Sequence, residues 1–146
     1  MSDDNIHHPA KLDLDLILRV QQARMLHDAD AKPSQISGVY WIEAKSKLET
    51  TRPPTSHAGE WQLETDLANV DALWSQIRQA TEDGLLGYKS KVSTASRRGG
   101  TAAQSRQIII RTCDADDLAD VERVKAALIA LGIDPDRLHY QRDKAE

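Results

Sequence analysis

An α+β domain is the fold class that the sequence predicts, and three observations predict it. Residues from Glu60 to Thr65 alternate apolar and polar, the mark of a strand with one wet face. Val70, Leu73, Trp74 and Ile77 follow at the i, i+3, i+4, i+7 spacing of a helix stripe. Ile108, Ile109 and Ile110 stand in a row, as in a central strand covered on both faces. The expected architecture is a mainly antiparallel sheet of about five strands with helices on one face, in the order αββαββαβ.

Residues 1–11 read as a flexible, polar N-terminal tail, and 12–146 as one domain. Leu12–Ala31 reads as a helix with Leu14, Ile17, Leu18 and Met25 near one face. Lys32, Pro33 and Ser34 stop it, because proline cannot continue a helix. Gly38 is a further break, and Val39–Ala44 is the first strand, rich in β-branched and aromatic residues. A polar connection with Pro53 and Pro54 leads to the second strand, Glu60–Thr65. Asn69 is expected to cap the next helix, and Gly84 to end it. Leu86–Ala95 reads as the third strand, Ser96–Ser105 as a mobile loop of small and basic residues, and Arg106–Thr112 as the fourth strand. Asp114 or Asp116 caps a last helix whose buried stripe is Leu118, Val121, Val124, Leu128 and Leu131. Gly132 and Pro135 stop it, and Arg137–Arg142 closes the sheet.

The 146 residues are 40% hydrophobic and 29% charged, enough apolar content for a real core. A net charge of -4 argues against a general nucleic-acid binder, which calls for a basic balance, and no double-stranded DNA partner is expected. One cysteine, Cys113, excludes an intramolecular disulfide and a zinc-finger type of site, and fits a reducing compartment. No apolar run approaches the roughly 20 residues of a membrane helix, and the N-terminus lacks the pattern of a secretory signal. The expected setting is cytoplasmic, with no membrane partner, no metal and no cofactor.

Chemistry concentrates between Leu85 and Arg111. This block holds Lys89, Lys91, Arg97, Arg98, Arg106 and Arg111 and no acid. Lys89, Lys91 and Ser93 share one face of an unbroken strand, because side chains repeat every two residues. A solvated strand face with a basic hairpin loop explains the block as well as an anion site does. For an anion site, lysine point charges and arginine forks suit phosphate oxygens, and Gly99 and Gly100 would let backbone N–H groups approach. Trp61 and Trp74 read as core; of Tyr40 and Trp41, adjacent in a strand, one must be exposed or at the rim. Cys113 ends an apolar strand as a buried small residue. The histidines form no metal-binding spacing, and neither a phosphate-binding loop nor a nucleophile elbow is present.

Gly59-Glu-Trp-Gln-Leu, Asp71-Ala-Leu-Trp-Ser-Gln-Ile, Leu86-Gly-Tyr-Lys-Ser-Lys-Val-Ser-Thr-Ala, Gln107-Ile-Ile-Ile-Arg-Thr and Asp120-Val-Glu-Arg-Val-Lys-Ala-Ala-Leu carry a resemblance. Over residues 39–143 the chain resembles the domain family of the basophilic-leukaemia-expressed proteins, whose bacterial members carry a phosphothreonine lyase label. The resemblance implies a curved, helix-backed sheet similar to that of the cap-binding translation initiation factor. It implies that Arg106 stands where that factor places a phosphate-binding residue, and that Trp61 and Trp74 match its structural tryptophans. The lyase label implies a lysine base, Lys89 or Lys91, and a histidine acid, His57 or His139. The Lys-x-His motif of the effector lyases is absent from this sequence.

The leading expectation is a binding domain for a phosphorylated ligand: a nucleotide, an RNA end or a phosphopeptide. The ligand would lie on the open sheet face beside Lys89, Lys91, Arg97, Arg98, Arg106 and Arg111. The alternatives are a phosphate eliminase of the lyase kind and a protein–protein interaction module that uses the first helix.

Overall fold

Among the described residues, five antiparallel strands in the order β1-β3-β4-β2-β5 form one open sheet, and two long helices pack on it. The structure is a computed structural model and describes residues 32–35, 41–94 and 105–144, all within the compact unit Lys32–Glu146. The N-terminal tail, the first predicted helix, Gly38, Tyr40, Arg97, Arg98 and most of the glycine-containing loop lie outside the described residues. Along the chain the elements are β1 (Trp41–Lys45), β2 (Gly59–Asp66), α1 (Leu67–Glu82), β3 (Lys89–Ser93), β4 (Ser105–Thr112), α2 (Leu118–Ala130), a 3-10 turn (Pro135–Arg137) and β5 (His139–Arg142).

The α+β reading and the central place of the isoleucine strand hold. β4 is the third of five strands, with Ile108 and Ile110 at 0% exposure and Ile109 at 5% on the opposite face. Both helices lie on the face of Ile108 and Ile110. Ser90, opposite Ile110, meets Thr81 of α1 through a 2.7 Å hydroxyl pair. Trp61, also opposite Ile110, donates its indole N–H to the Val121 carbonyl of α2 at 3.0 Å. The core between the layers is built on Ile42, Leu63, Val70, Trp74, Ile77, Val92, Val124 and Leu128, each at most 2% exposed.

Local starts and stops depart from the expected ones for identifiable reasons. Asp66, not Asn69, caps α1: its Oδ1 accepts from the Asn69 N–H at 2.9 Å, so β2 runs into the helix with no loop between. Asp117, not Asp114 or Asp116, caps α2 by accepting from the Asp120 N–H at 3.2 Å, while Asp114 closes a turn onto the Asp116 N–H. Leu118 opens α2 at 70% exposure, so the buried stripe begins a turn later at Val121. β5 starts at His139 because Asp134 and Pro135 set up the 3-10 turn ahead of it. β3 starts at Lys89, after Gly87 has passed tightly against the backbone of Arg111. Gly84 ends α1 with φ +78°, a conformation other residues adopt only with strain.

Candidate functional site

Strand parity divides the basic block. Register across the sheet lines up Glu43, Lys91, Ile109, Gln62 and His139, one from each strand, on the face turned away from the helices. A parallel row holds Lys45, Lys89, Arg111, Glu60 and Gln141. Lys89, Lys91 and Arg111 therefore share a face, as the alternation of residues predicts.

Arg106 does not join them. It pairs with Thr65 on the helix side and is 8% exposed. Arg106 and Arg111 are five residues apart, and an odd separation puts two strand residues on opposite faces. Its Nη1 donates to the Ser105 carbonyl at 2.8 Å. The expectation of Arg106 on the open face is thus corrected: its guanidinium belongs to the interior.

Arg111 is on the right face but already engaged. Its Nη1 and Nη2 hold Asp143 at 2.6 and 2.7 Å, Nη1 also reaches Glu60 at 2.8 Å, and Nε donates to the Tyr88 hydroxyl at 2.9 Å. The hydrogen bond to Asp143 is the largest influence holding the guanidinium well above the usual arginine range; burial opposes it, and Tyr88 and Glu60 add to it. Lys89 lies 3.1 Å from Glu43. Burial pushes the Glu43 carboxyl up, yet the hydrogen bond and charge of Lys89, with the charges of Lys45 and Lys91, leave it below the usual carboxylate range.

Lys91 differs from both. It makes no ion pair with any described residue, and its ammonium lies 4.5 Å from the centre of the Trp41 ring. Burial holds it below the usual lysine range; Glu60 and Glu43 oppose that shift, while Lys89 and Arg111 reinforce it. A partly desolvated ammonium among other cations gains when an anion arrives.

One candidate acid, His139, is far from such a base. Lys91 and His139 stand in one row but three strand spacings apart, about 14–15 Å. His57 sits on an exposed loop, with its Nδ1 3.8 Å from Asp116. A single phosphorylated residue does not bridge Lys91 to His139. Cys113 is buried as expected, with its sulfur accepting from Arg52 Nε at 3.0 Å.

The sequence reading missed a hollow of about 380 Å³ that begins beside this row, lined by Gln62, Leu63, Glu64, Gln107, Arg137 and His139. β5 covers only the first half of β2, and where it stops Arg137 Nη2 takes the freed Glu64 carbonyl at 2.6 Å. The signal for it in the sequence is the polar side of the β2 alternation, Glu60, Gln62 and Glu64, which by itself marks only a wet face.

Among the described residues no group of three metal-ligating side chains occurs, and no helix is long and apolar enough to cross a membrane. No curated protein is similar enough to add a relative to this comparison. The family model described as basophilic leukemia-expressed protein Bles03 matches residues 44–144, which take in every strand and both helices from Ala44 onward. The agreement spans more than half of the chain and covers the rows just described except Glu43, so the chain belongs to the Bles03 family.

Proposed function

We propose that this domain is a binding module for a phosphorylated ligand, with the ligand on the sheet face turned away from α1 and α2. One observation carries the reading: the Lys91 ammonium, partly desolvated and lacking an ion-pair partner among the described residues, lies beside the half-buried Trp41 ring on that face. A phosphate supplies the missing counter-charge, and the ring offers a flat apolar neighbour. Lys89 contributes a second charge once a stronger anion competes with Glu43. Arg97 and Arg98, in the connection from β3 to β4, add further positive charge from outside the described residues.

The likeness to the cap-binding initiation factor is part of the same proposal, supported by an antiparallel sheet with its two described helices on one side. So is a cytoplasmic setting, which a single reduced cysteine fits. A Lys91–His139 acid–base pair of the lyase kind is not part of it, because the two stand too far apart to share one substrate.

The test is a thermal-shift and calorimetric screen of nucleotides, cap analogues, short RNA and phosphopeptides at low salt. A bound ligand raises Tm, and the shift shrinks as salt is added. Lys91→Glu is expected to weaken binding at least ten-fold while the variant stays folded. Undiminished binding by that variant removes the site from this face. Phosphate release detected by mass would replace the binding module with an enzyme.

A further inference from the structure

We propose that the hollow over β2, β4 and β5 is a nucleobase subsite, so that the phosphorylated ligand is a nucleotide; this rests on the phosphate reading of Lys91. Gln62 is oriented by its neighbours: its Nε2 donates to Glu60 at 2.7 Å and to Gln141 at 3.1 Å. With both N–H groups used, the amide presents its carbonyl oxygen as a fixed acceptor. Gln107 lines the same hollow, and its side chain makes no hydrogen bond to another described residue, so a donor and an acceptor are available side by side. Paired donor and acceptor groups of this kind complement the edge of a base. His139 is exposed at the border, where an imidazole ring can stack on a base face.

Position links the hollow to the phosphate site. Lys91, Ile109 and Gln62 stand in consecutive places of one row, so Gln62 is two strand spacings, about 9–10 Å, from Lys91. That is the reach of a nucleoside phosphate lying across the strands, with Ile109 between its two ends.

The experiment is calorimetry on the full chain with AMP, GMP, CMP and UMP, and with ribose 5-phosphate as the base-free probe. At least one nucleotide is expected to bind about ten-fold more tightly than ribose 5-phosphate. Gln107→Ala and Gln62→Ala are each expected to erase that advantage and leave ribose 5-phosphate binding unchanged. Lys91→Glu is expected to weaken both probes. Circular dichroism shows that each variant is folded, and Gln107→Glu, which alters the edge pattern without removing bulk, is expected to change which base is preferred. Equal binding of nucleotides and ribose 5-phosphate, insensitive to Gln62 and Gln107 but lost in Lys91→Glu, overturns the subsite and leaves the phosphate reading standing. Binding of phosphopeptides but not nucleotides also overturns it. No binding of any phosphorylated probe overturns both.

Discussion

Arg111 and Asp143 are joined by two parallel hydrogen bonds, 2.6 and 2.7 Å long, that tie β4 to the residue following β5. The bond from Arg111 is the main cause that holds the Asp143 carboxyl below the usual range, against a smaller opposing effect of burial. A carboxyl whose pKa is depressed by folding contributes stability that is present above its unfolded value, about 3.9, and lost as pH falls through the folded one. Asp143→Asn is therefore expected to lower stability by about 1 kcal/mol near neutral pH, a figure already reduced for solvent exposure. The gap between the two proteins should close as pH falls below about 4. Chemical denaturation at pH 7, 5, 4 and 3 checks this, and a gap that does not change with pH refutes the assignment.

Lys91 sets a pH dependence for ligand binding. Its ammonium is held below the usual lysine value of about 10.4, so it loses its proton earlier than an exposed lysine. Affinity for a phosphate is expected to fall as pH rises through the alkaline range, at lower pH than for an exposed lysine and after the ligand itself has finished titrating near 6. Lys91→Arg should keep the affinity flat over that range, because a guanidinium stays charged. Calorimetry across the range distinguishes the two profiles.

Thr81 and Ser90 form a hydroxyl pair at 2.7 Å, each with 0% exposure. Thr81 also donates to the Ile77 carbonyl at 2.7 Å, which uses its one hydrogen, so Ser90 is the donor within the pair. Thr81→Val leaves the Ser90 hydroxyl buried without that acceptor and should cost about 1–3 kcal/mol. Adding Ser90→Ala is expected to recover part of the loss. The double variant measured against both single ones gives a clearly non-additive cycle.

Gly87 allows no side chain. A Cβ there would fall within the van der Waals contact distance of the Arg111 carbonyl oxygen, a backbone atom that cannot swing aside. Gly87→Ala should cost about 3 kcal/mol or more, or prevent folding. Gly132→Ala meets no atom within 4 Å and bears only the cost of its φ of +101°, about 1 kcal/mol. Urea denaturation of the two variants orders them.

The period-two and period-3.6 patterns carried most of the fold, as Trp61, Leu63, Trp74 and Val124 illustrate: all are buried where the pattern puts them. Caps were harder to read because Asp66, Asn69, Asp114, Asp116 and Asp117 are all competent, and only backbone geometry selects among them. The candidate site was legible in part. Lys89, Lys91 and Arg111 share the face that alternation assigns them, whereas Arg106 was grouped with them by charge although its odd separation from Arg111 already placed it opposite. The cage around Arg111 was not legible, because Asp143 lies 32 residues away and reaches it only through the pairing of β5 with β2. The hollow was missed for the same reason: Gln62, Gln107 and His139 meet only once the strand order is known.

The pairing of Gly59 with Arg142 has a consequence for how the chain is made. As synthesis proceeds from the N-terminus, β2 emerges early and β5 late, so the outer side of β2 waits with its N–H and C=O groups unmatched. During that interval Gly59–Gln62 is a bare sheet margin on which a neighbouring nascent chain can dock in place of the proper strand. A premature stop just upstream of His139 makes that interval permanent. Such molecules would collect in inclusion bodies even though nearly all of their apolar core has been made.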